Sequence, residues 1–215
     1  QGDYIKVGDA GWARISEKLR KSLRQLDDSV NQERGTLRFD KTSAHALRSV
    51  QEHFQFDASK AWNECLQRLD RSEKLEPVLP KGLKATLRDY QLEGFKWLRR
   101  LAEWGVGGVL ADDMGLGKTI QTLAVILDRA KEGPALVIAP TSVGFNWMRE
   151  IEKFAPDLSA SLYRETDRAD FLDAVGPNQI VVCSYGLALR DIEKLAKVEW
   201  GTLVLDEAQA IKNSR

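Results

Sequence analysis

Beyond residue 83, the apolar residues of the chain form short continuous runs that alternate with amphipathic stretches. A short continuous apolar run is typical of a strand covered on both faces, whereas apolar residues at i, i+3, i+4 and i+7 indicate a helix. This alternation predicts an α/β fold, a parallel sheet with helices on both faces. The predicted strands cover residues 107–110, 135–139, 161–163, 180–184 and 202–205. The predicted helices cover residues 89–104, 120–127, 146–154, 167–174 and 187–197.

The first 76 residues have shorter elements. Residues 1–15 favour a small hairpin, because two short apolar runs flank Gly8-Asp9-Ala10-Gly11. A helix is predicted from Ser16 to Val30, with apolar residues on one side. A short strand over 35–39 and further helices over 43–53 and 59–69 complete a small α+β segment that is mostly helical.

A domain boundary is predicted at residues 77–82. Pro77, Pro80 and Gly82 lie close together there, and this composition prevents helix continuation and favours an extended connector. The predicted organisation is therefore an accessory segment over residues 1–76, a linker over 77–82 and an α/β domain over 83–215.

Composition and charge limit how the chain could bind nucleic acid. A chain of 215 residues with 43% hydrophobic residues is long enough for one or two domains with a buried core. Charge is balanced, with 14 basic and 13 acidic residues before Pro80 and 18 basic and 19 acidic residues after it. Neither part is a basic module, so affinity for nucleic acid would have to come from a local patch or from protein outside this chain.

The cysteines, histidines and hydropathy argue against several other classes. Cys65 and Cys183 are far apart and lack companions at metal-ligand spacing, which favours two reduced thiols. His45 and His53 likewise lack a zinc-binding frame. No apolar run approaches the roughly 18 residues of a membrane span, and the first residues are not a signal peptide. A soluble, cytoplasmic protein without a membrane partner is expected.

Candidate chemistry is found first between the strand predicted over 107–110 and the following helix. The segment Asp112-Asp113-Met114-Gly115-Leu116-Gly117-Lys118-Thr119 has glycines whose backbone N–H groups can converge on phosphate oxygens at a helix N-terminus. Lys118 can reach the terminal phosphates, and the Thr119 hydroxyl can ligate Mg²⁺. The usual loop has glycine where this chain has Asp112. A solvated surface turn is the alternative, although alternating glycines beside lysine and threonine suit ordinary helix entry poorly.

An acidic pair follows the strand predicted over 202–205. A nucleotide hydrolase needs one carboxylate for Mg²⁺ and another that orients water, and Asp206 and Glu207 stand in that position. A polar loop start would explain the pair taken alone. However, Lys118 and Asp206 both fall at strand ends, and ligands of parallel sheets bind at the carboxyl ends of strands. Loop and acidic pair together predict a site for a nucleotide with Mg²⁺.

Five short motifs occur in order along residues 83–215. They are Leu87 to Gly94 with Trp97-Leu98, Asp112 to Thr119, Ala139-Pro140-Thr141-Ser142 with Asn146-Trp147, Ser184-Tyr185, and Asp206-Glu207-Ala208-Gln209 with Ile211-Lys212-Asn213. In these motifs and their order the sequence resembles the SWI/SNF family of helicase-like ATPases. The resemblance implies an ATP-binding RecA-like lobe, and it makes the acid at Asp112 typical of the family rather than a defect. Residues 1–76 resemble, more loosely, the accessory segment of bacterial members.

The resemblance implies a role for each matching residue in ATP binding and hydrolysis. Gln91 would hydrogen-bond the adenine edge. Asp206 would support Mg²⁺ together with Thr119, and Glu207 would activate water, with Lys118 as the second catalytic residue. The residues that would hold the phosphates of ATP are Asp112, Gly115, Leu116, Gly117, Lys118 and Thr119.

The resemblance also implies double-stranded DNA as a partner, with Ser142 and Asn146 facing its phosphates. Gln209 stands where the family more often has histidine, which leaves its part in coupling hydrolysis to movement open. Motors of this family hydrolyse ATP between two lobes, and the second supplies arginines to the transition state. Since this chain stops at Arg215, the second lobe is expected to be absent, and the 215 residues are expected to bind ATP weakly and to turn it over negligibly.

Three functions remain open at the level of sequence. The first is the ATP-binding lobe of a double-stranded DNA translocase that displaces bound proteins without separating strands. The second is a lobe of a strand-separating DNA or RNA helicase. The third is a non-catalytic interaction module whose helices within residues 1–76 dock a protein partner.

Overall fold

The computed structural model describes residues 4–6, 12–14, 16, 17, 20, 21, 30–33, 36–39, 44, 48, 60–164 and 168–211. The chain divides into two compact units, one of residues 1–75 with 100–108 and the other of residues 76–99 with 109–215. Within the described ranges, no helix combines the length and the apolar character that crossing a lipid bilayer requires.

The described part of the first unit includes two antiparallel strand pairs and a long helix. Strand β1 (Tyr4–Lys6) pairs with β2 (Trp12–Arg14), which confirms the predicted hairpin. Strand β4 (Thr36–Phe39) confirms the strand predicted over 35–39. Helix α1 (Lys60–Lys74) confirms the helix predicted over 59–69 and continues past its predicted end.

The helix predicted from Ser16 to Val30 is wrong at its C-terminal end. Val30 begins strand β3 (Val30–Glu33), and β3 pairs antiparallel with β4, Val30 lying opposite Phe39. Helical spacing in a short window carries no information about a partner strand, and that pairing satisfies the backbone groups of β3. Most residues of the helices predicted over 16–30 and 43–53 lie outside the described ones, and those that are described as helical are Glu17, Arg20, Lys21, Ala44 and Arg48.

The second unit is built on a parallel sheet with strand order β6-β7-β5-β8. In the register of this sheet, Ala139 lies beside Ser184 and Ile138 beside Leu205. The carboxyl ends of β5, β7 and β8 are therefore level at one edge, where the candidate site lies. The strands are β5 (Ala135–Ala139), β6 (Ser159–Leu162), β7 (Gln179–Ser184) and β8 (Thr202–Leu205), and β5 and β8 have the predicted bounds.

Helices cover both faces of the sheet, as predicted. On one face, Leu123, Trp147 and Ile151 belong to an apolar cluster with Val137, Ile180 and Val182 of the strands. On the other face, Leu172, Ala188 and Leu195 pack with Leu136, Val181 and Cys183. The helices are α2 (Asp89–Trp104), α3 (Lys118–Asp128), α4 (Thr141–Phe154), α5 (Arg168–Asp173), α6 (Tyr185–Arg190) and α7 (Ile192–Leu195), followed by a 3-10 turn (Ala208–Ala210).

The strand predicted over 107–110 is wrong, because these residues belong to no strand and the Val109 side chain is 81% exposed. An isolated extended segment leaves its backbone groups without a ladder, and the described sheet strands pair only among themselves. Gly107 and Gly108 add to the entropic cost of fixing the segment.

Two helices of the second unit differ from their predicted bounds by more than two residues or by an interruption. The helix predicted over 146–154 begins at Thr141, directly after Pro140, because proline disfavours helix interiors but suits the residues that open a helix. The helix predicted over 187–197 is interrupted at Asp191, whose backbone leaves the helical region with φ −109° and ψ 23°. Aspartate favours caps over helix interiors, and here the carboxylate of Asp191 lies 3.3 Å from the ammonium of Lys194 within α7.

Gly94 allows α2 to approach α3 closely, and this contact makes a testable prediction. A methyl group at Gly94 would overlap the Oε1 atom of Gln121, whose side chain is only 1% exposed and cannot swing into solvent. Gly94→Ala is expected to lower the free energy of unfolding by about 1 to 3 kcal/mol, as overpacking does. Gly186→Ala is the matched control, because Gly186 also lies in a helix but has open space at the Cβ position. Equal denaturant midpoints for the two variants would contradict the prediction.

Candidate active site

The predicted phosphate loop leads directly into α3. Gly115 and Gly117 have positive φ angles of 84° and 76°, which glycine adopts without the steric cost that a side chain would add. Gly117 immediately precedes Lys118, the first residue of α3. The first N–H groups of a helix have no intrahelical partner, so the loop ends on donors suited to an anion.

Lys118 folds back onto its own loop. Its Nζ atom donates to the backbone oxygens of Asp112 at 2.7 Å and of Asp113 at 3.0 Å. The main-chain carbonyl oxygens of the two aspartates, rather than their carboxylates, hold the ammonium. Asp112, Gly115 and Leu116 are exposed, so the outer part of the loop is open to solvent.

Helix α2 holds the loop through hydrogen bonds to the backbone of Leu116. The Tyr90 hydroxyl and the Gln91 Nε2 group both donate to the Leu116 carbonyl oxygen at 3.1 Å. The Gln91 Oε1 atom accepts from the Arg88 backbone N–H at 2.9 Å. A Cβ atom at Gly117 would overlap Gln91 Nε2, so glycine is required at this approach as well as by its φ angle. The structure thus brings Gln91 to the loop and uses its amide there, whereas the adenine contact stays a prediction.

A buried glutamine gives α3 a second link to the loop. Gln121 Nε2 donates to the Gly117 carbonyl oxygen at 3.3 Å, and Gln121 is the residue that contacts Gly94 of α2. The loop conformation therefore depends on two side-chain amides, one from each flanking helix.

Asp206 is fixed by four hydrogen bonds at the end of β8. Its backbone N–H donates to the Ile138 carbonyl oxygen at 2.8 Å, which ties it to the end of β5. The Trp147 indole N–H donates to Oδ2 at 2.8 Å, and the Glu207 backbone N–H donates to Oδ1 at 3.0 Å. The Tyr185 hydroxyl donates to the Asp206 backbone oxygen at 2.8 Å. The carboxylate orientation is therefore specified by the fold.

Tyr185 is a protonated donor in this arrangement. Burial, and then the negative charges of Asp206 and Glu207, raise the pKa of the Tyr185 hydroxyl above its ordinary value. Both causes disfavour the phenolate, so the hydroxyl keeps its proton and its bond to the Asp206 backbone throughout the neutral range.

Glu207 has a left-handed backbone conformation, with φ 50° and ψ 49°. Such a conformation costs a non-glycine residue about 1 to 3 kcal/mol and is found most often at functional sites. The Gln209 side-chain amide donates to Glu207 Oε2. Gln209, whose role the sequence leaves open, therefore contacts the carboxylate that is predicted to activate water.

The residues predicted to face DNA lie on the first half of α4. Ser142 and Asn146 are both exposed, and Asn146 Nδ2 donates to Glu150 Oε1 at 3.1 Å. Trp147, the next residue, is 2% exposed and points into the sheet toward Asp206. Helix α4 therefore has one face on solvent and the other on the sheet, where Trp147 reaches Asp206.

The two predicted metal ligands, Thr119 and Asp206, have the chemistry that Mg²⁺ prefers over a softer metal. The Thr119 hydroxyl and the Asp206 carboxylate are hard oxygen donors, which Mg²⁺ prefers. In the described part of the chain, no group of three or more His, Cys, Asp or Glu residues is arranged to hold an ion. Mg²⁺ usually takes few protein ligands and keeps waters or substrate phosphates, so one carboxylate and one hydroxyl suffice.

The loop and the acidic pair lie on different elements and are linked through α4. Helix α3, which begins at Lys118, packs against α4. Trp147 of α4 then reaches Asp206 at the end of β8. The support of Leu116 by Tyr90 and the bonds from Trp147 and Tyr185 to Asp206 are contacts that motif spacing does not reveal. The one feature of the sequence that points to these contacts is that the three aromatic residues lie within the motifs.

The chain belongs to the SNF2-related domain family, which it matches over residues 90–215. Its parallel sheet with helices on both faces is the RecA-like fold of SNF2 ATPase cores. The resemblance of the five motifs to SWI/SNF family helicase-like ATPases is thereby confirmed.

Individual relatives come from bacteria, fungi and archaea. YwqA of Bacillus subtilis, whose name describes an ATP-dependent helicase/translocase, is 46% identical over 168 residues, 74% of this chain and 18% of the relative. The chromatin-remodelling ATPase INO80 of Schizosaccharomyces pombe is 34% identical over 223 residues, 90% of this chain and 14% of the relative. The Sulfolobus solfataricus SWI2/SNF2 ATPase core, solved in complex with double-stranded DNA, is 45% identical with a TM-score of 0.57, and the match covers 65% of this chain and 30% of that chain. The chain thus spans less than a fifth of these two curated relatives.

Proposed function

We propose that residues 83–215 form the ATP-binding lobe of a motor that translocates on double-stranded DNA. The observation that carries the proposal is the held phosphate loop, in which Tyr90 and Gln91 fix Leu116 and two glycines lead into α3. Likeness to a DNA-bound SWI2/SNF2 ATPase core at 45% identity supports the choice of partner.

The loop residues bind the phosphates of ATP in this proposal. The N–H groups at the start of α3 and the Lys118 ammonium neutralise phosphate charge, and the third N–H of the ammonium is left for a phosphate oxygen while the carbonyl oxygens of Asp112 and Asp113 hold the other two. Gln91 contacts the adenine edge while it supports the loop through Leu116. Asp112, Gly115, Leu116 and Gly117 shape the cradle and present backbone rather than bulky side chains to the phosphates.

The acidic pair completes the chemistry. Thr119 and Asp206 hold Mg²⁺, which when bound neutralises charge that develops on the phosphates. Glu207 aligns the attacking water and accepts its proton. Gln209 restrains the Glu207 carboxylate through a hydrogen bond from its side-chain amide. Trp147 and Tyr185 keep Asp206 in place. Ser142 and Asn146 contact DNA phosphates from the exposed face of α4, so DNA contact and chemistry share one helix.

Full turnover requires more protein than these residues. The matched region is only 30% of the Sulfolobus ATPase core chain, so we propose that a further lobe supplies arginines to the transition state. Such a contribution is worth about a thousandfold or more in phosphate-loop enzymes. The 215-residue chain alone is therefore expected to bind ATP and turn it over negligibly.

ATPase and displacement assays test the function. The complete protein is expected to hydrolyse ATP faster with duplex DNA than without it, and to displace a third strand from a DNA triplex while leaving a forked duplex paired. Separation of the forked duplex, or stimulation by RNA alone, would instead support a strand-separating helicase. DNA-stimulated turnover by the 215-residue chain would contradict the need for a further lobe.

A further inference from the structure

We infer that Trp147 is a positioning residue for the metal-binding carboxylate, and that it mechanically joins the exposed face of α4 to the chemical centre. The inference rests on the proposed function, since it assigns a role to the carboxylate that Mg²⁺ would use. Its structural basis is the 2.8 Å hydrogen bond from the Trp147 indole N–H to Asp206 Oδ2.

The bond is placed where it must control the orientation of Asp206. The carboxylate can rotate about its terminal torsion, and aspartate has a broad distribution there. The Glu207 backbone N–H on Oδ1 would permit several rotations, but a second donor on Oδ2 selects one. Each carboxylate oxygen has more than one lone-pair site, so both bonds leave acceptor capacity for a metal or a metal-bound water.

The indole is well suited to hold that position. Trp147 is 2% exposed and lies in the apolar cluster with Leu123, Val137 and Ile151, so the ring itself has little freedom. The indole N–H can only donate, so donor and acceptor cannot exchange roles in this hydrogen bond. A buried donor aimed at a carboxylate is also costly to leave unpaired, so the bond persists when the site is empty.

The same residue links α4 to the site. Asn146 precedes Trp147 in the chain, and its side chain is on the exposed face together with Ser142. A helix transmits small displacements along its length because its backbone is hydrogen-bonded throughout. A shift of α4 caused by contact at Ser142 or Asn146 would move the indole against Asp206, whereas Asp206 is anchored separately through Ile138 and Tyr185.

Trp147→Phe removes the donor and keeps an aromatic ring. In the complete protein, the affinity for Mn²⁺ in the presence of ATP, measured by electron paramagnetic resonance of free Mn²⁺, is expected to fall about 10- to 100-fold, as it does when other outer-shell partners of metal ligands are lost. ATP binding in the presence of EDTA is expected to stay within about twofold. A merely structural role would lower both together.

Trp200→Phe is the matched control. Trp200 Nε1 donates to the Leu195 carbonyl oxygen at 2.7 Å, so the variant also removes an indole bond and packing, but on the other face of the sheet. It is expected to leave Mn²⁺ affinity unchanged. If Trp147→Phe fails to fold, replacing Trp147 with the isosteric benzothienylalanine removes the N–H without changing the shape of the ring.

The outcomes separate this inference from the proposed function. Unchanged Mn²⁺ affinity in the folded Trp147 variants would overturn the positioning role alone. Wild-type protein that bound neither ATP nor Mn²⁺ with ATP would overturn the proposed function and the inference with it. A further readout needs no ligand, because the Trp147 indole N–H resonance is expected to shift and to exchange faster in Asp206→Ala. An unchanged resonance would show that the bond is absent and would overturn the inference.

Discussion

Lys118→Ala in the complete protein is expected to reduce ATP hydrolysis by about a hundredfold or more, since removal of one preorganised charge-stabilising donor has effects of this order. Nucleotide affinity is expected to fall as well, because the ammonium supplies charge to the bound phosphates before and during the reaction. Measurement of kcat and KM with and without duplex DNA checks the result.

Lys118→Ala also removes two hydrogen bonds within the loop, and this structural effect must be separated from the loss of charge. The ammonium bonds two carbonyl oxygens of its own loop, so the alanine variant also loosens the loop. Lys131→Ala is the control for charge, because Lys131 is an exposed residue in the turn after α3. ATP hydrolysis that stayed unimpaired in Lys118→Ala would rule out the phosphate-loop assignment.

Glu207→Gln is expected to lower turnover by about 10²- to 10⁴-fold while ATP binding is kept, the range typical of a lost general base. Glutamine has nearly the same shape as glutamate and adopts the left-handed backbone conformation at a similar cost. The φ angle of 50° at residue 207 is therefore expected to be retained. The amide cannot accept the proton of the attacking water. Single-turnover hydrolysis and equilibrium binding of a fluorescent ATP analogue measure the two effects separately.

The contrast between the two substitutions is informative. Lys118→Ala is expected to affect both binding and turnover, whereas Glu207→Gln is expected to affect turnover alone. Glu199→Gln, at an exposed position just before β8, controls for loss of one negative charge and is expected to behave as wild type. Turnover within a few fold of wild type in Glu207→Gln would move the role of general base away from this residue.

The sequence predicts the bounds of two sheet strands from the local apolar pattern alone. Strands β5 and β8 have the predicted bounds, because a continuous apolar run between turn-forming residues leaves little choice. Residues 107–110 have a similar local pattern and form no strand. The difference lies in pairing, a property of residues far away in the chain that periodicity cannot represent.

In the candidate site, too, the features that depend on local sequence are predictable and those that depend on distant residues are not. Glycines at 115 and 117, Lys118 and the Asp206-Glu207 pair are predictable, because backbone conformation and charge at short spacing suggest their chemistry. The side chains that hold Leu116 and Asp206 in place are not predictable from the sequence. Trp147 and Asp206 are separated by 59 positions in the chain, and only the level ends of β5 and β8 bring them together.

The folded-back Lys118 side chain divides its hydrogen-bond donors between the loop and a phosphate. The carbonyl oxygens of Asp112 and Asp113 hold two of the three N–H groups of the ammonium, which leaves one for a phosphate oxygen. Molecules whose loop releases these bonds can offer more donors to ATP. If ATP bound essentially to released molecules that were about a tenth of the population, its apparent affinity would be about tenfold weaker than the intrinsic affinity. Anything that stabilises the released conformation, including contacts made elsewhere on the lobe, would then raise affinity without touching the nucleotide.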